Sequence, residues 1–333
     1  MTPTPVHGRI ATSRGLWTMV AALVLLAVAG LLFASTSMSK GALQGMLPFA
    51  SVLAIVALGQ TLVIQQGGFD LSVPGAISIV VVICTHHPEG DNAKLLPAVL
   101  MALGVAVLAG LANGLLIRQF RLNPIVATLG TNALLYAGVL GISAGSPRRT
   151  TSLLASIAGG ETLGIPHAVI VALVAVAVTT VAVKSTVVGR RFEAVGANPR
   201  AGRATGIKVN RHGIAAYVWA QVLYWLGGVL LAGILVQPTA FQGDAYLLPS
   251  VAAVVLGGTS LLGGKGNIVA TALAALFLTQ LQQFVLALGV NSAIQTLVQA
   301  AALAVGVGLY SVDWAAVRRW RRPSRNPSPA AAN

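Results

Sequence analysis

Long uncharged runs of hydrophobic residues recur along the whole chain, with short polar segments between them. A membrane-crossing helix needs about 20 such residues, and most of the runs approach or exceed that length. Runs three and eight are short and rich in Gly and Pro, as broken or tilted helices are, so eight to ten crossings are predicted. The ten predicted helices are Leu16–Ala34, Met46–Ile64, Pro74–Thr85, Leu95–Ile117, Ile125–Ala144, Pro166–Val183, Ile214–Val236, Leu247–Leu262, Ile268–Leu288 and Ala293–Ser311.

Composition excludes a soluble protein. Of the 333 residues 56% are hydrophobic and 8% are charged, and the mean hydropathy is +0.83. A soluble domain carries about 25% charged residues. The first run follows Arg9 and Arg14 and exceeds the roughly 7–15 residues of a signal-peptide core, so an uncleaved helix is predicted. The expected fold class is an all-α integral membrane protein.

The distribution of Lys and Arg predicts the orientation. With a cytoplasmic N-terminus, seventeen of the 21 basic residues fall inside and four outside. This asymmetry obeys the positive-inside rule and places both termini in the cytoplasm. The predicted domains are an N-terminal segment 1–15, one transmembrane domain 16–311 and a basic, disordered tail 312–333. The net charge of +14 is concentrated in loops and ends, which favours lipid headgroups as partners over nucleic acid.

The ten runs contain no Asp, Glu, Lys or Arg, which argues against a proton- or sodium-coupled carrier. Neutral amides are frequent instead. They either tie neighbouring helices together or line a path for an uncharged polyhydroxy cargo, and the sequence leaves both interpretations open. Gly110–Gly114 and Gly141–Gly145 have the spacing of close helix contacts. No metal site is predicted. The candidate pathway residues are Asp70, Gln60, Asn113, Asn132, Gln221, Gln295 and Gln299.

Two loops combine glycine with chemistry-bearing residues. In the first, Gly67 and Gly68 precede Asp70-Leu71-Ser72, which predicts either a capped reverse turn or irregular backbone at membrane depth. The other loop follows run eight and contains the structural glycines Gly257, Gly258 and Gly264 together with Thr259. It does not match a phosphate-binding loop, because Thr259 occupies the first glycine position and Gly266 follows Lys265.

A third segment, residues 184–213, is the only long polar stretch on the predicted cytoplasmic side. A short helix is predicted after Asn198-Pro199. The segment is rich in small residues and amphipathic enough to dock in the groove of a partner.

These three loops, together with Gly110–Leu116 and Asn123–Gly130, resemble the membrane subunit of bacterial ribose/xylose-type ABC sugar importers over about residues 40–312. The resemblance implies a multi-pass inner-membrane permease in a homo- or heterodimer. It also implies cytoplasmic ATPase subunits that bind the ATP, a periplasmic sugar-binding protein, and no enzymatic activity or cofactor in this chain.

The resemblance also assigns residues 184–213 as the coupling loop to the ATPase. Glu193, Ala194 and Gly196 fall where the family has Glu-Ala-Ala…Gly, although Val195 and Pro74 depart from the family pattern. The candidate coupling residues are Arg190, Arg191, Glu193, Ala194, Gly196, Asn198 and Gly206.

Three alternatives belong beside this interpretation. A branched-chain amino-acid permease of the same superfamily would have an Asn-Leu-Ala-type loop in place of Asp70-Leu71-Ser72. A facilitator or channel would act without ATP. A membrane anchor without transport would leave the coupling-like segment unexplained.

Overall fold

Helices make up most of the described part of the chain. The structure is a computed structural model that describes residues 14–291 and the separate positions 293, 294, 297, 298, 300, 301 and 304. Within them two short strands, β1 (Glu161–Thr162) and β2 (Ile165–Pro166), pair antiparallel. The helices of these residues are α1 (Arg14–Phe33), α2 (Lys40–Gln65), α3 (Val73–His86), α4 (Leu95–Arg118), α5 (Pro124–Ser143), α6 (Ser152–Gly159), α7 (His167–Ser185), α8 (Val187–Ala197), α9 (Pro199–Ala204), α10 (Val209–Ile234), α11 (Leu247–Leu256) and α12 (Ile268–Ala287). Single 3₁₀ turns occupy Ser35–Met38, Asn92–Lys94 and Gln242–Tyr246.

Seven of these helices are long and apolar enough to cross a membrane, namely α1, α2, α4, α5, α7, α10 and α12. The all-helical prediction is therefore confirmed, while the count of ten crossings and the orientation of the termini stay predictions. Predicted helices three and eight are present as α3 and α11, of 14 and 10 residues. The predicted end of helix eight at Leu262 is wrong, because Gly257 and Gly258 end α11 at Leu256. Most of the tenth, Ala293–Ser311, lies outside the described residues.

Helices α2 and α3 form the centre of the bundle. Every residue of α2 from Ala50 to Gln65 is buried, and so is every residue of α3 from Val73 to Thr85. Helix α10 packs against α2, α3 and α4, while α12 packs against α1 and α2 and α5 covers α3. A helix that is apolar on all sides is stable only when it is surrounded, which explains why these two lie innermost.

The outer helices expose large apolar side chains, among them Leu25, Leu32, Phe33 and Leu134. In water this surface would drive aggregation, whereas in a bilayer it is matched to the acyl chains.

Successive crossings run in opposite directions and define two ends of the bundle. At one end Asn92 bonds to Ser152, and Thr150 N donates to Val236 O. At the other end, which we call the α8 end, Gln66 bonds to Phe192 of α8. The connections at the α8 end are residues 66–72, 119–123, 186–208 and 257–267.

Both short helices follow segments that are not α-helical and are partly buried in the bundle. Residues 66–72 precede α3 and residues 242–246 precede α11. The two segments meet, since Gly243 N donates to Ser78 Oγ and a Cβ atom on Gly243 would lie 2.1 Å from Pro74 O. Each short helix is thus preceded by partly buried chain that is not α-helical, and at 14 and 10 residues neither helix is long enough to span a bilayer alone.

Helices α4 and α10 approach closely at two glycines. A Cβ atom on Gly110 would lie 2.6 Å from Val218 Cα, and one on Gly114 would lie 2.9 Å from Ile214 Cα. The same sequence spacing at Gly141 and Gly145 meets no described atom within 4 Å. Of the two predicted glycine pairs, therefore, only Gly110 and Gly114 form a close helix contact among the described residues.

Replacing Gly110 with Ala is expected to destabilise the bundle, because the added methyl group forces α4 and α10 apart. Overpacking of this kind costs about 1–3 kcal/mol. Gly141→Ala is the matched control, in open space on α5, and no loss of stability is expected there. Thermal unfolding of both variants in detergent checks the difference, and equal melting temperatures would contradict the contact.

Candidate functional site

All three loops singled out in the sequence meet at the last turn of α2. The Gln65 carbonyl oxygen accepts a hydrogen bond of 2.8 Å from Gly264 N, in the loop that joins α11 to α12. Gly196, in the last turn of α8, packs against the same oxygen, since a Cβ atom there would lie 2.3 Å from it. One carbonyl group therefore contacts both the predicted coupling segment and the 257–267 loop.

Gln66, the next residue, hydrogen-bonds to α8 and to the end of α4. Its Nε2 donates to Phe192 O of α8 at 2.8 Å, and its carbonyl oxygen accepts from Arg118 Nη2 at 2.6 Å. Arg118 ends α4, and its side chain passes over Gly213, where a Cβ atom would lie 2.3 Å from Arg118 Nε. A cation at the carbonyl end of a helix is favoured by the helix dipole, so Arg118 stabilises the end of α2.

Glycine is required at two positions of this junction. At Gly196 any side chain would collide with the α2 backbone. Gly264 has φ +83°, and a Cβ atom there would lie 2.9 Å from Ala197 Cα. Because the contacting atoms are backbone, a rotamer change cannot relieve either clash.

Two helices occupy most of the predicted coupling loop. Thr186 caps α8 by accepting from Gly189 N, and Asn198 caps α9 by accepting from Arg200 N and Ala201 N. The predicted helix after Asn198-Pro199 is therefore confirmed as α9. Phe192 and Val195 form the buried face of α8. This amphipathic helix lies across the α8 end of the bundle rather than through it.

The other coupling candidates lie on the outer side of this segment or end it. Glu193 forms an ion pair with Lys184, at the end of α7, and Arg190 Nη1 donates to Ser185 O at 3.3 Å. Arg191 and Ala194 are exposed, and Gly206 adopts φ +78° in the turn after α9. The segment thus presents a mixed polar surface away from the bundle.

Residues 66–72 return alongside α2 in non-helical form. Gln60 Nε2 donates to Asp70 O at 2.6 Å, which places Asp70 beside α2 more than a turn before that helix ends. Irregular backbone at membrane depth is tolerated only when it is buried in protein or lines a cavity. We call residues 66–72 the broken segment.

Side chains from neighbouring helices supply the hydrogen bonds that a helix would have supplied. Leu71 N donates to Thr128 Oγ1 at 3.0 Å, and Gly75 N, in the first turn of α3, donates to Asn132 Oδ1 at 2.8 Å. Ser72 N donates to Asp70 Oδ1 at 2.9 Å. Each donor is thereby paired although no helical carbonyl is within reach.

The Asp70 carboxylate is fully buried and receives neutral donors. Gln221 Nε2 lies 3.3 Å from Asp70 Oδ2 and 2.8 Å from Ser72 Oγ, which itself donates to Asp70 Oδ1. Asn113 Nδ2 donates to Ser72 Oγ at 3.0 Å, and Thr131 Oγ1 donates to Asn113 Oδ1 at 2.6 Å. No Lys or Arg in the described part of the chain forms an ion pair with Asp70.

Five of the seven predicted pathway residues therefore lie in one polar centre around the broken segment. They are Asp70, Gln60, Asn113, Asn132 and Gln221. Four helices, α2, α4, α5 and α10, meet there, so the amides act as ties between helices. The remaining two, Gln295 and Gln299, lie outside the described residues.

The glycines predicted as structural loop residues either turn the chain or allow a close packing contact. Gly67 turns the chain at φ +72°, and Gly68 lies against Tyr217, whose hydroxyl is 2.3 Å from a Cβ position there. Gly257 packs on the Thr271 backbone at 2.7 Å, and Gly258 adopts φ +79°. Thr259 Oγ1 accepts from Asn267 N at 3.4 Å.

Sequence reasoning missed several residues of both clusters. Gln65, Gln66 and Arg118 hold the junction, although Arg118 entered the sequence argument only as a basic loop residue. Thr128 and Thr131 complete the polar centre, together with Ser72 of the predicted Asp70-Leu71-Ser72 loop. A hydroxyl within an apolar run has no sequence signal that separates such a tie from an ordinary bond to its own helix.

Comparison with known proteins supplies the family context. Residues 42–306 match the family described as the permease component of branched-chain amino acid transport systems. The ribose import permease protein RbsC of Escherichia coli K12 is 34% identical over 296 residues, which cover 87% of this chain and 91% of that protein. RbsC of Bacillus subtilis is 34% identical over 77% of this chain and 80% of its own length. The autoinducer 2 import system permease protein LsrD of Escherichia coli O9:H4 is 32% identical over 292 residues, which cover 83% of this chain and 87% of that protein. No solved structure matches the chain.

Replacing Thr128 with Val keeps the side-chain shape but leaves Leu71 N without an acceptor in a buried site. Such a donor costs about 1–3 kcal/mol. The matched control is Thr85→Val, since the Thr85 hydroxyl returns to Val81 O of its own helix. Thermal unfolding in detergent should show a lower melting temperature for Thr128→Val than for Thr85→Val. An unchanged melting temperature for Thr128→Val would mean that the broken segment does not depend on this bond.

Proposed function

Since the chain belongs to the family of permease components of branched-chain amino acid transport systems, we propose that it is the transmembrane permease of an ATP-binding-cassette importer that carries a sugar. It is a multi-pass protein of the bacterial inner membrane. The observation that carries the proposed cargo is the similarity to ribose import permeases, which extends over nearly the full length of both chains. The Asp70-Leu71-Ser72 loop supports a sugar over an amino acid, because the amino-acid branch would have an Asn-Leu-Ala-type loop there.

The α8 end faces the cytoplasm in this proposal. Its connections carry Arg121, Lys265 and the basic residues of α8 and α9, and Arg118 ends α4 there. The connections at the opposite end carry far fewer basic residues. The positive-inside rule then places the α8 end inside, together with both termini. A periplasmic sugar-binding protein docks at the opposite end, and a second permease, identical or different, completes the pathway.

The ATPase subunits dock on the outer surface of α8 and α9. ATP binding and hydrolysis belong to them, and this chain contributes no catalytic group. Movement of α8 reaches the core by two contacts, from Phe192 to Gln66 and from Gly196 to Gln65. Because α2 is packed on all sides, a shift at its end moves the broken segment and the helices that hold it. The permease thereby alternates between outward- and inward-open states.

Reconstitution tests the transport class. We expect purified permease with its ATPase and binding protein to accumulate labelled ribose in proteoliposomes only when all three proteins and ATP are present. Leucine should not compete. Ribose entry with the purified permease alone and without ATP would overturn the proposal in favour of a facilitator, and accumulation of leucine would overturn the cargo.

Gly196→Ala tests the coupling assignment. The methyl group displaces α8 from the end of α2, so ribose transported per ATP hydrolysed should fall about tenfold, within the range of coupling mutations. The control is Gly104→Ala on α4, where a Cβ atom meets no described atom within 4 Å. Glu193→Gln, which removes the ion pair to Lys184, should lower the same ratio by a smaller factor. If Gly196→Ala and Glu193→Gln both transport as much ribose per ATP hydrolysed as the wild type, coupling through α8 is rejected.

A further inference from the structure

A cavity of about 630 Å³ opens in the half of the bundle away from α8. Its walls are the first half of α2, residues 242–252 and the last turns of α12, and Ala300 also lines it. Phe49, on its wall, is separated from Gln65 at the junction by about 24 Å of helix. Asp244, also on its wall, accepts a hydrogen bond from Tyr136 of α5, and Leu53 and Ala252 are buried residues of the lining.

The cavity is lined by polar groups whose hydrogen-bonding capacity is unused. Gln282 and Gln283 line it from α12, and neither amide hydrogen-bonds to any residue that the structure describes. Gln242 uses only its oxygen, which accepts from Thr239. Asp244 receives one bond, from the Tyr136 hydroxyl. These groups differ from the amides of the polar centre, whose nitrogens or oxygens are bonded to the broken segment and its supports.

The lining specifies the chemistry of an occupant. Amides and a carboxylate offer both donors and acceptors for hydroxyl groups, while Phe49, Leu53 and Tyr246 offer apolar surface for C–H faces. The lining contains no Lys or Arg. A phosphorylated sugar or the carboxylate of an amino acid would therefore lie unpaired near Asp244, at a considerable electrostatic cost. A neutral monosaccharide matches both the polar and the apolar parts.

The walls of this cavity are linked to the coupling junction. Helices α11 and α12 each contribute lining residues, and the loop that joins them, residues 257–267, bonds to Gln65 O through Gly264 N. A change at the end of α2 thus acts on both walls through one loop. Helix α3 packs against residues 242–246, several of which line the cavity and lead into α11, and interrupted short helices mark the substrate site in many transporters.

We propose that this cavity is the site where the permease binds the neutral sugar on its way through the membrane, with Gln282, Gln283, Gln242 and Asp244 binding its hydroxyl groups. This proposal rests on the proposed function and adds the residues that hold the cargo.

Leucine substitutions on α12 test it in the reconstituted importer. Gln283→Leu and Gln282→Leu keep the side-chain size and remove the amide, so ribose uptake should fall about tenfold for the pair combined. The matched control is Gln280→Leu on the same helix, since Gln280 does not line the cavity and its Nε2 contacts Met38 Sδ at 3.3 Å. Uptake by Gln280→Leu should equal that of the wild type. Wild-type uptake by the double variant would overturn the proposal.

A second measurement does not depend on transport. Cys84 is the only cysteine and is fully buried, so Gln283→Cys introduces a single accessible thiol. A membrane-impermeant thiol reagent added outside should label it, and a high concentration of ribose should slow the labelling at least about threefold, whereas leucine should not. Labelling that ribose does not slow, or that leucine slows instead, would overturn the site.

Different results would contradict the proposed function and the proposed sugar site in the cavity. If the wild-type importer accumulates neither ribose nor any other monosaccharide with ATP, the proposed function fails. If the wild-type importer accumulates the sugar, while the Gln282→Leu/Gln283→Leu variant transports normally and ribose does not slow the labelling of Gln283→Cys, the cavity assignment alone is wrong.

Discussion

Backbone N–H and C=O groups inside a bilayer must find their partners within the protein, and the arrangement of this bundle follows from that requirement. Residues 66–72 have left the helical hydrogen-bond pattern, and Asp70 and Ser72 within them are fully buried. An unpaired group there costs several kcal/mol. Thr128 of α5 and Gln60 of α2 pair with the segment directly, while Asn113 of α4 and Gln221 of α10 hold Ser72. Four helices are thereby fixed around one short stretch of chain, which also determines where α3 begins.

The same helix that supports the broken segment ends at the junction. Gln65 and Gln66 present their carbonyl groups to the 257–267 loop and to Arg118, and α8 contacts both residues. The close approach exists only because Gly196 has no side chain. Helix α2 is enclosed over its last sixteen residues, which follow Pro48, and this enclosed part connects the broken segment to the junction. The external surface of α8 and the interior of the bundle are therefore mechanically connected by a single element.

Much of the fold could be predicted from the sequence because a continuous apolar run is a one-dimensional signal. The seven long helices follow from it, and the helix after Asn198 follows from the Asn-Pro cap. The chemistry of the amides could not be predicted in this way. Gln60 and Gln283 both lie in apolar helices, yet one is bonded to Asp70 O and the other lines a cavity and bonds to no residue that the structure describes. That difference depends on which helices face each other, which the sequence of a single helix does not encode.

The absence of a cationic partner for Asp70 in the described part of the chain bears on how transport is powered. A carboxylate that trades a proton or an ion with the cargo needs access to water or to a mobile charge during the cycle. Asp70 is fully enclosed, and Ser72 and Gln221 occupy its oxygens. It therefore acts as an acceptor that holds the broken segment, and in the proposed importer the driving force enters from the ATPase subunits. The junction at Gln65 and Gln66 is suited to that entry, because it contacts an amphipathic helix at the surface and, through the 257–267 loop, both walls of a cavity with unused hydrogen-bonding groups. A neutral cargo is compatible with a driving force that enters at the junction and a binding site in the cavity. Such a cargo only exchanges hydrogen bonds as it crosses the bundle, and no buried charge needs a partner.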